Sequence, residues 1–235
     1  MTRRSIAFLV VAAVLALPSS ALAGELVFAD RDARTTSVAP SSDQRAAAEQ
    51  LDAEVSWTRF GTPASLFQHD GALAENLQGG SAAKVARNFA EQQTELLGLS
   101  EASLDRLQVT ADSRLVGGSA HAVVLRQTFG GLPAAEGGLL VVAVQGDDVV
   151  YASGSLTRDA RLAAQPVLSA AEGWARAGGD VGLGGSIVNV LATRKGAGWT
   201  LLAVGGLPDP QRARLVAVPT PSRGVRPAWE TLVLD

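Results

Sequence analysis

His121-Ala122-Val123-Val124-Leu125-Arg126-Gln127-Thr128-Phe129-Gly130-Gly131-Leu132-Pro133 reads as a strand that runs into a tight turn. His121, Val123, Leu125, Gln127 and Phe129 recur at every second position, the period at which an extended chain returns its side chains to one face. Gly131 permits a turn backbone denied to other residues, Pro133 fixes its exit, and Gln127 offers neighbouring backbone both a donor and an acceptor. Downstream, Leu139 to Val144 and Val149 to Ser153 flank Gly146-Asp147-Asp148, the pattern of a hairpin. Upstream, Leu107, Val109 and Ala111 alternate in the same way. Between Ser81 and Leu97, by contrast, Val85, Phe89, Leu96 and Leu97 recur at helical spacing, with Ser81 placed to cap the start and Gly98 suited to the left-handed position after the end. A helix followed by a meander of strands predicts an α+β unit, the helix laid on one face of an antiparallel sheet.

The pattern restarts after Ala163-Ala164-Gln165-Pro166. Ser169-Ala170-Ala171-Glu172 is a capping box that opens a short helix reaching about Ala177. Ile187 to Thr193, Trp199 to Val204, Leu215 to Val218 and Trp229 to Leu234 then read as strands between Gly- and Pro-containing turns. Residues 164–235 therefore form a second, smaller helix-plus-sheet unit. In the other direction, Trp57, Phe60, Leu66 and Phe67 are the first large apolar groups, around Gly61-Thr62-Pro63, so the first unit is set at residues 57–163. Residues 24–56 are polar and alanine-rich and read as an extended, poorly ordered leader with one short helix from Asp43 to about Leu51. Residues 1–23 have the three parts of a signal peptide: Arg3 and Arg4, an apolar run from Ile6 to Leu17, and Ala21-Leu22-Ala23 before a cleavage between Ala23 and Gly24. The run falls short of the roughly 20 residues that span a bilayer. A secreted product without a stable membrane anchor is expected, and without Arg3 and Arg4 it carries 18 basic against 23 acidic residues, a charge of −5.

With 235 residues, 47% of them hydrophobic, the chain can build a real core, and without cysteine it must do so by packing alone. The arginines are scattered along the sequence, which argues against nucleic acid and against an anionic partner generally. Chemistry is sparse. The only histidines, His69 and His121, are 52 positions apart, so the H-E-x-x-H zinc arrangement is absent. Gly98-Leu99-Ser100-Glu101-Ala102 and Gly184-Gly185-Ser186-Ile187-Val188 each miss the last glycine of a nucleophile elbow and read as cap and turn serines. The glycine-rich stretch from Gly178 to Gly185 lacks phosphate-loop spacing and reads as a flexible connection. Asp30 with Asp32 and Asp147 with Asp148 lack any sign of a cleft, and the second pair suits a hairpin turn. Trp57, Trp174, Trp199 and Trp229 are spread along the chain as core or partner-facing anchors. No catalytic, metal or cofactor site is expected.

The stretch from His121 to Pro133, with Gly138 to Val144 and Val149-Val150-Tyr151-Ala152-Ser153-Gly154-Ser155-Leu156, resembles the fungalysin/thermolysin propeptide module. In that family a strand ending in Gln turns through Gly-x-Pro and leads to a strand, a glycine/aspartate turn and a strand ending in a small-residue pair. Gln127, Gly131, Pro133, Gly146 and Ser153-Gly154 stand at the matching places. The helix from Ala86 to Leu99 is similar to the one that opens the module. Phe60-Gly61-Thr62-Pro63-Ala64-Ser65-Leu66 resembles the leader of bacterial fungalysin-like precursors, and Pro166 to Glu172 the start of their second, cystatin-like (PepSY-like) pro-unit. The resemblance spans residues 57–235. It implies a non-catalytic pro-region that assists folding of a zinc metalloprotease domain and inhibits it, in cis within a longer precursor or in trans, with His121, Arg126, Gln127, Gly131, Leu132 and Pro133 as family-motif or partner-contact residues. The chain ends at Asp235, where such precursors continue into the protease domain. A truncated precursor, the pro-region alone and a stand-alone secreted inhibitor or binding module all account for that.

Overall fold

The computed structural model of the chain describes residues 36–183, 190–196 and 198–234. In the first part the elements are α1 (Ser42–Gln50), β1 (Glu54–Trp57), β2 (Pro63–Phe67), α2 (Ala82–Gln92), α3 (Thr94–Leu97), α4 (Glu101–Leu104), β3 (Gln108–Arg114), β4 (His121–Arg126), β5 (Thr128–Phe129), β6 (Leu132–Pro133), β7 (Leu139–Gln145) and β8 (Asp148–Gly154). In the second they are α5 (Ala170–Asp180), β9 (Val190–Gly196), β10 (Trp199–Val204), β11 (Gln211–Thr220) and β12 (Gly224–Leu232). The fold is mixed helix and sheet, with antiparallel sheets and few helices. A six-stranded sheet runs β1-β2-β8-β7-β4-β3 and a four-stranded one β12-β11-β10-β9, while β5 and β6 form a small ribbon. The signal-peptide segment, the Ala23/Gly24 cleavage, Asp30, Asp32 and Ser186 lie outside the described residues.

The first core follows from register. Val123 lies opposite Val142, Val142 opposite Ala152, Ala152 opposite Leu66, and Leu66 opposite Val55, so one row of small and branched side chains crosses five strands on one face. Helix α2 covers that face with Val85, Ala86, Phe89 and Ala90, all buried. Burial of a side chain of this size is worth about 1.5–3 kcal/mol, which makes this layer the main source of stability. Ser81 caps α2 by accepting from the Lys84 amide at 3.3 Å, and Gly98 takes the left-handed conformation (φ 65°) after α3, both as the sequence predicts.

Three features differ from the sequence reading. The single helix to Leu97 is interrupted at Gln93, and α3 packs against α1, whose Gln44 Nε2 donates to the Leu96 carbonyl at 3.0 Å. Within residues 42–57, α1 is the short helix expected from Asp43 to about Leu51, but it is packed into the fold, and the strand β1 that follows was not expected. Ser41 and Gln44 form a capping box, Gln44 and Ala48 are buried, and Arg158 donates to Gln44 Oε1 and to the Ala39 carbonyl, each at 2.7 Å. Its apolar contacts come from small or isolated residues, Ala47, Ala48, Leu51, Ala53 and Val55, and its polar anchors leave no hydrophobic signature, which is why composition alone marks this segment as loose. Finally, Val109, expected on a buried face, is exposed. It still lies opposite the buried Leu125 but on the edge strand β3, and just beyond it the register steps to Ala111–Val124, so Thr110 is an extra residue and the alternation reverses from Ala111 onward.

In the second unit Trp174 is completely buried beneath Leu202, Val204 and Ala213. The Ser169/Glu172 capping box forms, and the hydrogen bonds that the Ser169 amide and hydroxyl donate to the Glu172 carboxylate lower its pKa. Gly178 and Gly179 lie inside α5 instead of in a flexible connection, with Gly178 buried beside Trp174. Gly173 has a separate reason to be glycine: a Cβ there would sit 2.5 Å from Cγ and Cδ1 of the Trp229 ring. Alanine favours a helix interior over glycine by about 1 kcal/mol, yet the ring and the Trp229 Nε1–H bond to the Leu168 carbonyl (3.0 Å) leave it nowhere to go. Gly173→Ala is expected to lower stability by a net 1–3 kcal/mol, roughly the cost of overpacking, read as a lower urea midpoint by tryptophan fluorescence. A raised midpoint would show that α5 lifts freely from the sheet.

Candidate functional site

Gln127 is the pivot of the region the sequence singles out. It is buried at 4% exposure, its Nε2 donates to the Thr157 carbonyl (2.8 Å), and its Oε1 accepts from the Thr157 amide (3.0 Å). Its own amide donates to the Gly138 carbonyl at 2.7 Å and its carbonyl accepts from the Ala134 amide at 3.0 Å. One residue thus ties the end of β4 to the chain after β8 and to both sides of the ribbon. Phe129 lies opposite Leu132 across Gly130 and Gly131, whose φ angles are +57° and +81°. Positive φ at both central residues is the signature of the hairpin turn whose twist matches its strands.

The ribbon joins the two units. Phe129 and Ala134 are buried against Ala217 and Val225 of the second sheet, with Leu132 and Leu162 packed around them. Ala134 bridges Ala217 beside β11 and Leu162 bridges Val225 beside β12; the Ala135 amide donates to the Ala217 carbonyl (2.8 Å) and the Ala163 amide to that of Val225 (2.7 Å). Asp159 anchors the connecting segment by accepting from the Ser100 amide through both carboxylate oxygens (3.1 and 3.0 Å). Partial burial works against its ionisation, but hydrogen bonds from Ser100 and Ser103 and the charge of Arg106 outweigh it and hold the pKa below the ordinary value.

Of the residues singled out from sequence, Arg126, Gln127, Gly131, Leu132 and Pro133 come together at this joint. Arg126 Nη1 donates to the Ala134 carbonyl at 3.0 Å, bracing the ribbon. His121 does not join them. It opens β4, about 17 Å from its far end at the strand rise of about 3.4 Å per residue, and its Nδ1 lies 2.7 Å from Asp112 Oδ1. His69 pairs with Glu54 (2.9 Å) beyond the end of β2, with β8 and β7 between β2 and β4. Among the described residues no group of three or more His, Asp or Glu is placed to hold a metal ion, and no helix is long and apolar enough to cross a membrane. Ser100 takes the N-cap position of α4 without a side-chain capping bond, Gly146 and Asp147 form the β7–β8 turn, and Asp148, the first residue of β8, accepts at Oδ1 from the Asn76 amide at 2.9 Å.

Sequence reasoning missed what surrounds the joint. Arg126 and Glu136 of the first unit face Arg214, Val216, Val218 and Glu230 of the second across a crevice of about 300 Å³. Arg214 is held there: Nε donates to Glu230 Oε2 at 2.7 Å, and its Cζ lies 4.5 Å from the centre of the Trp199 ring. The arginines, scattered in sequence, also converge. Arg194 and Arg212 both lie opposite Leu201, Arg214 lies opposite Glu230, and Val218 opposite Arg226, so all four arginines project from the face of the second sheet remote from α5. The only sequence signal was the alternation in Gln211-Arg212-Ala213-Arg214; strand pairing supplied the rest. The chemistry assembled here is that of recognition, with fixed charges, an aromatic plane and an apolar floor.

No protein-family model matches the chain, and no curated protein matches it.

Proposed function

We propose that the chain is a secreted, propeptide-type module that assists the folding of a fungalysin-like zinc metalloprotease domain and inhibits it, its second unit being the cystatin-like pro-unit. The observation that carries this reading is the Gln127-to-Pro133 motif, whose Gln, Gly and Pro each have a definite mechanical role at one joint. The order of helix, meander and second helix-plus-sheet unit agrees with it. A module that binds the native protease and not its unfolded chain stabilises the enzyme by mass action, so folding assistance and inhibition are two readouts of one binding energy.

Titrating residues 24–235 into a peptide-cleavage assay of a fungalysin-type zinc protease is expected to give dose-dependent inhibition, with a buffer-only control. A folded chain that neither inhibits nor binds any such protease would overturn the reading. A stand-alone binding module is the second reading, favoured by the exposed strand β3, whose outer edge pairs with no other strand among the described residues and suits strand addition. It predicts binding that a proline within β3 abolishes.

A further inference from the structure

The arginine-bearing face of the second sheet is a built surface. Neighbouring strands lie about 4.8 Å apart, which sets Arg194 and Arg212 about 10 Å apart on either side of Leu201, and alternate residues of a strand repeat at about 7 Å, the spacing of Arg212 and Arg214. Arg194, Arg212 and Arg226 are exposed, and among the described residues no hydrogen bond or ion pair engages their guanidinium groups. Trp199, Leu201, Val218, Ala228 and Leu232 stand between them, none fully buried. Two crevices open on the face, the one at the joint and one of about 370 Å³ beside Arg194, Trp199, Leu201 and Arg212. Charge is divided along the chain in the same sense: residues 164–235 hold seven basic and five acidic side chains, a net of +2, whereas residues 24–163 hold eleven and eighteen, a net of −7.

We infer that this face docks an acidic polypeptide, one that presents carboxylates beside aliphatic side chains on a single extended face. Carboxylates two residues apart in an extended chain repeat at the same distance of about 7 Å as Arg212 and Arg214, and guanidinium is the cation best matched to carboxylate geometry. Arg214, already placed over Trp199 and held by Glu230, needs little further ordering to receive a partner. The interleaved apolar groups favour a peptide over a bare polyanion, and the acidic first unit repels a long one. This reverses the expectation from sequence that no anionic partner is recognised, because the register of four strands, not proximity along the chain, brings the arginines together. The inference stands apart from the protease reading, and its test uses no protease.

The test measures fluorescence anisotropy of a labelled peptide, Leu-Ser-Glu-Ser-Glu-Ser-Leu, whose leucines and glutamates share one face when extended, against the full mature chain. Binding is expected at low salt, about tenfold weaker for the counterpart with glutamine in place of glutamate and several-fold weaker between about 50 and 200 mM NaCl. Arg194→Ala and Arg212→Ala should each weaken it by a further factor of about three and together by about ten, while Arg176→Ala, which removes one such charge from the exposed side of α5, leaves it unchanged; circular dichroism checks that each variant is folded. Equal binding of the two peptides, binding of neither, equal loss in Arg176→Ala, or stronger binding of a single-stranded oligonucleotide would each overturn the inference.

Discussion

Trp174→Ala is expected to cost about 3–5 kcal/mol, the range for emptying the site of a fully buried large aromatic. Trp174 is wholly enclosed, its Nε1–H donates to the Leu232 carbonyl at 3.3 Å, and Leu202, Val204 and Ala213 of the sheet close over it. Alanine would leave these groups facing a void that the backbone of α5 cannot fill. The damage should be confined. The cores beneath α2 and α5 are separate clusters, with the small cluster of Phe129, Ala134, Ala217 and Val225 as the apolar contact between them among the described residues. Urea unfolding followed by circular dichroism should therefore split, the second unit melting early and the first near its original midpoint. A single transition displaced as a whole would show that the ribbon couples the two units into one cooperative system.

Gln127→Ala should be the next most severe change. Both polar groups of Thr157 that Gln127 satisfies are in a buried environment, and an unsatisfied buried group costs about 1–3 kcal/mol, so a loss of roughly 3 kcal/mol in denaturant stability is expected. Pro133→Ala, which removes no hydrogen bond and leaves the ribbon's side-chain contacts in place, should cost less than about 1 kcal/mol. The pair separates two roles for the motif. If Gln127→Ala kept full stability and weakened only protease inhibition, Gln127 would be a partner contact; the buried geometry instead gives it an architectural role, with any loss of inhibition following from a loosened joint.

Much of this fold was legible because its signals are local. Alternation marks β4, β-rich runs between turns mark β7 and β10, helical spacing marks α2, Ser81 and the Ser169/Glu172 box mark two helix starts, and Gly131 and Gly146-Asp147 mark two turns; each depends on backbone sterics or on bonds within a few residues. Gln127 was legible as a two-way hydrogen-bonding residue for the same reason. Its partner Thr157 was not, being 30 residues away in sequence and carrying no pattern of its own. The short helix α1 was legible, but its anchoring was not, because Gln44 and Arg158 hold it through polar bonds that composition does not register.

By itself, then, the sequence determined most of the segments that become helices, strands and turns, since those choices rest on the steric and hydrogen-bonding preferences of neighbouring residues. Only the tertiary structure decided which of them share a face. It set Trp229 against Gly173, brought Ala134 and Leu162 to the edges of the second sheet, and lined up Arg194, Arg212, Arg214 and Arg226, because strand register and the packing of one layer on another are properties of distant pairs that no single stretch of chain contains.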